Sequence, residues 1–203
     1  YKKFRKAGAK IVMFGLESGC QDILDYYHKR TTVEQNEYAV KLADKHDIFV
    51  YSTFIFGASI ETQEHLDKTL KFILRLPIDM ISVNVLKYDL GSPLWEELVE
   101  KNLIKKTDIS VITDKRFSNF STEEWEKFRE KLNKKFYFRI SYIARVLKKC
   151  VKQREILILR FLFNYAYKVL TNFYSISLWR QSAKGDRNIE LGNKRIDLGK
   201  EIV

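Results

Sequence analysis

Two prolines, eight glycines and two cysteines in 203 residues leave the chain poor in three things at once. So few chain-breaking residues give no room for a Pro/Gly-rich linker or a low-complexity tract, and no internal repeat is visible. Cys20 and Cys150 stand far apart without Cys or His companions, which argues against a disulfide framework and a zinc site; a Lys-rich, Cys-poor composition suits a reducing cytoplasm. His28, His46 and His65 lack ligand spacing, so solvated or capping roles account for them and no metal-ligating residue is assigned. An uninterrupted apolar run is missing too. In "EILILRFLFNYAYKVLTNFYSISLW", Arg160, Asn164, Lys168 and Asn172 recur every fourth residue, whereas a membrane span is nearly free of charge over about 18 to 20 residues.

What is present is ordinary for a globular protein: 45% hydrophobic and 31% charged residues. The net charge of +11 is uneven, however. Residues 1–117 hold 18 Lys and Arg against 17 Asp and Glu, and residues 118–203 hold 19 against 9. This asymmetry predicts two regions with different tasks, and the composition divides the chain at 117 and again near 182, where a polar, loose tail begins. The opening segment "YKKFRKAGAK" reads as the tail of a helix, so the expectation is a chain that starts in the middle of a fold; a processed mature protein is the alternative.

Along residues 1–117, apolar runs alternate with helical periodicity. "KIVMFGLES", "IFVYSTFIFG" and "DMISVNVLKY" read as buried strands, and "TTVEQNEYAVKLADKHD", residues 61–76 and "GSPLWEELVEKNLI" as helices, with Thr32 a cap and Pro93 near a first helical position. Strand and helix in this alternation predict parallel βα units with right-handed crossovers. Three such units make half a barrel. Beyond residue 117, Trp125, Phe128, Leu132, Phe136, Ile140, Ile143 and Leu147 step by three and four, predicting an amphipathic helix.

Parallel α/β folds place ligands at the carboxyl ends of their strands. Three segments lie there. In "GLESG", Glu17 suits a ligand hydroxyl or ammonium group, or else Glu17 and Ser18 cap the next helix. In "FGASIET", Gly57 lets the backbone approach a flat ligand, while Glu61 sits in the first helical turn and complements its dipole. "YDLGSPLWEEL" is explained as a turn before a helix.

Taken in order, "AGAKIVMFGLESG", "KRTTVEQNEYAV", "FIFGASIET" and "LGSPLWEELVEKNLI" resemble the second half of the radical S-adenosylmethionine (SAM) enzymes, over residues 6–104. Ser59 and Ile60 replace the usual proline and glycine, and Ser92 the usual threonine. The resemblance implies an α/β fold: the C-terminal half of a partial (β/α)6 TIM-like barrel, residues 1–117, followed by a basic helical extension, residues 118–181. It implies SAM as ligand. Glu17 and Ser18 would contact its ribose or methionine moiety, Phe54, Ile55 and Gly57 would pack along the adenine, and Lys29 matches a basic position near the site.

The family's [4Fe–4S] cluster needs three cysteines in the pattern CxxxCxxC, which this chain lacks, so no catalytic residue is assigned and the chain alone is expected to be inactive, its partner being the N-terminal half of the same protein. "FSTEEWEKFREKLNKKFYFR" is similar to the extension of cobalamin-binding members related to the anaerobic magnesium-protoporphyrin monomethyl ester cyclase, which implies cobalamin as a further cofactor and radical chemistry at an unactivated carbon of a bulky substrate. Two other classes stay open. The basic half could contact RNA phosphates, although its cations are diluted by an apolar face and no RNA motif is present. Alternatively the apolar helix lies on a partner or an anionic membrane, or simply covers the open side of the barrel. An uncovered first strand, Lys10–Gly15, predicts self-association through its edge.

Overall fold

In the computed structural model, residues 1–154, 156–171, 188–191 and 194–197 are described. The short helix α1 (Lys2–Lys6) leads into strand β1 (Ile11–Glu17), followed by helices α2 (Gln21–Tyr26) and α3 (Val33–Lys45). Then come β2 (Phe49–Phe56), α4 (Gln63–Arg75) and β3 (Met80–Val85). The three strands form one parallel sheet in the order β1-β2-β3, with Tyr51 opposite both Met13 and Met80. The predicted βα alternation is therefore present. Thr32 closes a capping box with Gln35 at the start of α3, and Thr62 closes one with His65 at the start of α4, so His65 has a capping role.

Along β2, Ser52, Phe54 and Phe56 are buried, while Tyr51, Thr53 and Ile55 on the other face are half-buried. The face carrying Phe54 and Phe56 is the more deeply packed one, and burial of these rings contributes much of the driving force. Phe56 meets the rings of Trp125 and Phe128 from α6 (Thr122–Tyr137).

The third strand is shorter than its apolar run predicts. Leu86 ends it, and β4 (Lys87–Asp89) turns away to pair antiparallel with β5 (Ser110–Ile112) around α5 (Pro93–Glu100). Tyr88, Trp95, Leu98 and Phe117 form a small core there. Ser92 caps α5, with Pro93 at its first position.

The single amphipathic helix expected after residue 120 is two. The first ends at Tyr137, and α7 (Ile140–Gln153) starts afresh with a different buried face. Ile140, Ile143 and Leu147 are exposed, and Tyr142, Val146, Lys149 and Cys150 are buried instead. Polar pairing decides this. Asp79, fully buried before β3, accepts from Val50 N at 2.8 Å, Arg145 at 2.7 Å and Lys149 at 3.0 Å. The Lys149 ammonium also reaches Asp44 and the Ile48 carbonyl, both at 2.8 Å, and Lys152 reaches Asp47 at 2.9 Å. Much of α7's basic charge thus turns inward onto the amino-terminal ends of β2 and β3.

The outer edge of β3 is met by tyrosines. Tyr137 OH accepts from Ile81 N at 3.2 Å, Tyr165 OH donates to Ile81 O at 2.9 Å, and Tyr142 OH donates to Asp79 O at 2.9 Å. Tyr165 belongs to α8 (Ile156–Thr171) and also stands edge-on to Tyr51, 5.9 Å between centroids, on the half-buried sheet face. At the other edge, β1 leaves Ile11 and Met13 exposed. Among the described residues no helix is long and apolar enough to cross a membrane. The chain divides into two units, Tyr1–Ala166 and Tyr167–Val203. In the second, β6 (Asn188–Leu191) and β7 (Lys194–Asp197) pair antiparallel, while most of the tail expected to be loose, and Asn172 of the polar stripe, lie outside the described residues.

Candidate functional site

The carboxyl ends of β1 and β2 bring together a compact set of polar groups. Pairing of β1 with β2 slips between Gly15 and Glu17, and Glu17 takes a left-handed φ of 59°. The bulge re-aims its side chain. One carboxylate oxygen of Glu17 accepts from the Lys29 ammonium at 2.9 Å, and the other is buried with no hydrogen-bond partner among the described residues. Gly15 makes the space: a Cβ there would stand 2.3 Å from Glu17 Oε1 and 2.9 Å from Lys29 Nζ. That role was hidden in the sequence, where Gly15 reads only as a strand end.

Ser18 is buried, its hydroxyl 3.0 Å from that of Thr69 on α4 and accepting from Cys20 N at 3.1 Å. It is therefore engaged within the loop, and α2 has Cys20 rather than Ser18 or Glu17 at its N-cap. Phe54 is fully buried on the helix-covered face, whereas Ile55 lies on the half-buried face with Thr53.

Gly57 ends β2 with a φ of 115°, a conformation for which glycine is suited. Thr113, from the segment after β5, donates to the Gly57 carbonyl at 3.0 Å, and a Cβ on Gly57 would meet Thr113 Cγ2 at 2.3 Å. Asn119 donates to the Glu61 carbonyl at 2.8 Å, so the β2–α4 loop is clamped from a distant part of the sequence.

Glu61 differs from the expected first-turn dipole partner. It precedes the N-cap, is wholly buried, and folds back to accept from Gly57 N at 2.6 Å. Among the described residues its second oxygen has no hydrogen-bond partner, nor has the buried hydroxyl of Tyr27. Burial is the larger effect on Glu61 and lifts its pKa to about 7, against the hydrogen bonds from Gly57 and Ala58. Tyr27 is pushed well up by burial and then by the nearby Glu61 charge.

A carboxyl that holds its proton more tightly folded than unfolded stabilises the fold at low pH and loses that contribution as pH rises to the folded value. Between about pH 4.5 and 7 this site is expected to withdraw about 3 kcal/mol of stability. Urea unfolding of the native protein and Glu61→Gln at pH 5 and pH 8 measures it. The variant should show a flatter pH dependence. Equal slopes would mean that Glu61 is ionised in the fold throughout.

No family model matches the chain. It is similar to an uncharacterized methyltransferase, PH0819, of Pyrococcus horikoshii, 31% identical over 144 residues, which is 68% of this chain and 31% of that protein. It is also similar to the anaerobic magnesium-protoporphyrin IX monomethyl ester cyclase of Cereibacter sphaeroides, 34% identical over 97 residues, 48% of this chain and 16% of the cyclase. The chain is a homologue of these enzymes. The bacteriochlorophyllide d C-8(2)-methyltransferase of Chlorobaculum tepidum is 27% identical over 129 residues, 63% of this chain and 25% of that enzyme. The chain thus spans a third or less of the length of each of these relatives.

Proposed function

We propose that this chain is the SAM-binding portion of a radical SAM enzyme of the cyclase and methyltransferase group, with cobalamin as a second cofactor. One observation carries the reading: at the end of a parallel strand, a bulge and the space left by Gly15 hold a half-satisfied carboxylate, its free oxygen buried, beside a lysine. The free oxygen of Glu17 suits the ribose hydroxyls or the ammonium group of SAM, and a carboxylate–ammonium contact made there is a strong one. Lys29 holds Glu17 in place, the half-buried Ile55 offers an apolar contact to an adenine, Gly57, packed against Thr113, shapes the loop beside it, and Ser18 and Phe54 support the loop and strand from behind. When bound, SAM would supply methyl-transfer or one-electron chemistry at an unactivated carbon of a bulky, tetrapyrrole-like substrate.

The cluster is a different matter. Cys20 and Cys150 are both buried and no third cysteine exists, so these residues do not fit a [4Fe–4S] group, and its ligands are assigned to sequence outside this chain. The partial barrel and the dependence of activity on that other sequence belong to the same proposal.

The test is SAM titration calorimetry on the longest gene product containing this chain, purified without oxygen. Glu17→Ala is expected to weaken binding at least tenfold, roughly the value of one charge-assisted hydrogen bond. The exposed Glu64→Ala should leave it unchanged. SAM affinity indifferent to Glu17 would sink the assignment.

A further inference from the structure

We propose that the outer face of α7 docks on an anionic lipid surface. Ile140, Ile143, Leu147 and Val151 follow one another at helical spacing and are all solvent-exposed, Ile140 to 85% and Val151 to 75%. Ala144 lies on the same face, and Phe138 is exposed at the turn that precedes it. The inner face is held by the buried ion pairs and tyrosines, so exposure of the stripe follows from how the helix is anchored rather than from a loose helix. A surface helix usually turns such a stripe into the core. This one keeps it outside.

Charge selects the occupant. From Lys131 to Arg154 there are nine basic residues and no acidic one. Arg139, Arg145 and Lys149 turn inward, onto the Leu74 carbonyl, Asp79 and Asp44, and the exposed Lys152 pairs with Asp47. Lys131, Lys135 and Lys148 remain exposed, and none of the ion pairs among the described residues involves them. An exposed apolar stripe within a stretch of nine basic and no acidic residues, with Lys148 exposed next to Leu147, has the make-up of an interfacial helix: the aliphatic residues enter the acyl boundary and the exposed lysines meet the headgroups. A second copy fits poorly, because a two-fold interface would bring two cationic stripes together. Nucleic acid fits poorly because phosphate contacts would have to form across an aliphatic centre.

Position agrees with this. The inward cations of α7 bind residues just before β2 and β3, at the amino-terminal ends of the strands. Docking through α7 leaves the carboxyl-end site away from the anchored helix. The inference is independent of the SAM reading.

The experiment is co-sedimentation of the 203-residue chain with phosphatidylcholine vesicles and with vesicles containing phosphatidylglycerol. Binding is expected only with the anionic lipid, and to fall as salt is raised. The double variant Leu147→Gln/Val151→Gln, at two exposed positions, should keep the circular dichroism spectrum and lose roughly tenfold in partitioning. Several outcomes overturn the proposal: no binding by the native chain, equal binding by the variant, or a dimer in velocity sedimentation that the variant dissolves. It is also overturned if the short chain binds and the longest gene product does not, since another segment then covers the stripe.

Discussion

Asp79→Ala is expected to lower the unfolding free energy by about 3–5 kcal/mol, the usual loss when one partner of a buried ion pair is removed. The substitution takes an acceptor from Val50 N and from Arg145, and leaves the buried Lys149 ammonium with only Asp44 and the Ile48 carbonyl. Asp79→Asn keeps an acceptor for Val50 while removing the charge, and should fall between the two. In Asp79→Leu/Lys149→Met, where no uncompensated charge stays inside, much of the loss should return. Urea unfolding of the set checks this. If Asp79→Ala cost less than about 1 kcal/mol, a figure typical of an exposed pair, α7 would be held by its apolar contacts and not by the ion network.

Gly57→Ala is the second large effect, because two costs fall on one atom. A φ of 115° strains any L-residue by about 1–3 kcal/mol. Placing a Cβ 2.3 Å from Thr113 Cγ2 adds overpacking of about 1–3 kcal/mol. The two are separable. Thr113→Ser removes the methyl but keeps the hydroxyl that donates to the Gly57 carbonyl, so Gly57→Ala/Thr113→Ser should recover the steric part and leave the backbone part. Thermal unfolding of the four proteins in the cycle measures both. A double variant no more stable than Gly57→Ala would place the whole cost in the backbone.

The strands and the parallel order were legible because Lys10–Ser18, Ile48–Gly57 and Asp79–Tyr88 are apolar runs broken by helical periods, a pattern with few solutions. What escaped detection depended on partners distant in sequence. Periodicity alone carried the helix through Phe138 and assigned Ile140, Ile143 and Leu147 to the core, since hydropathy cannot foresee that Asp79 and Asp44 would draw in Arg145 and Lys149. The antiparallel pair of β4 and β5, separated in sequence by α5, joins strands of three residues, too short to show a period. At the site, Glu17 and Gly57 stood out by their place after strands. Glu61 was noticed but assigned to the helix dipole, because its return to Gly57 N is a property of the loop. Gly15 and Thr113 gave no signal of their roles, as each acts through a neighbour that only folding supplies.

The tyrosine hydroxyls at Ile81 and Asp79 give the sheet a direction. Side chains that occupy the hydrogen-bonding positions of an edge do the work of a terminal strand without offering a new edge of their own. At Ile81 and Asp79 those hydroxyls take the positions that a further strand beyond β3 would need.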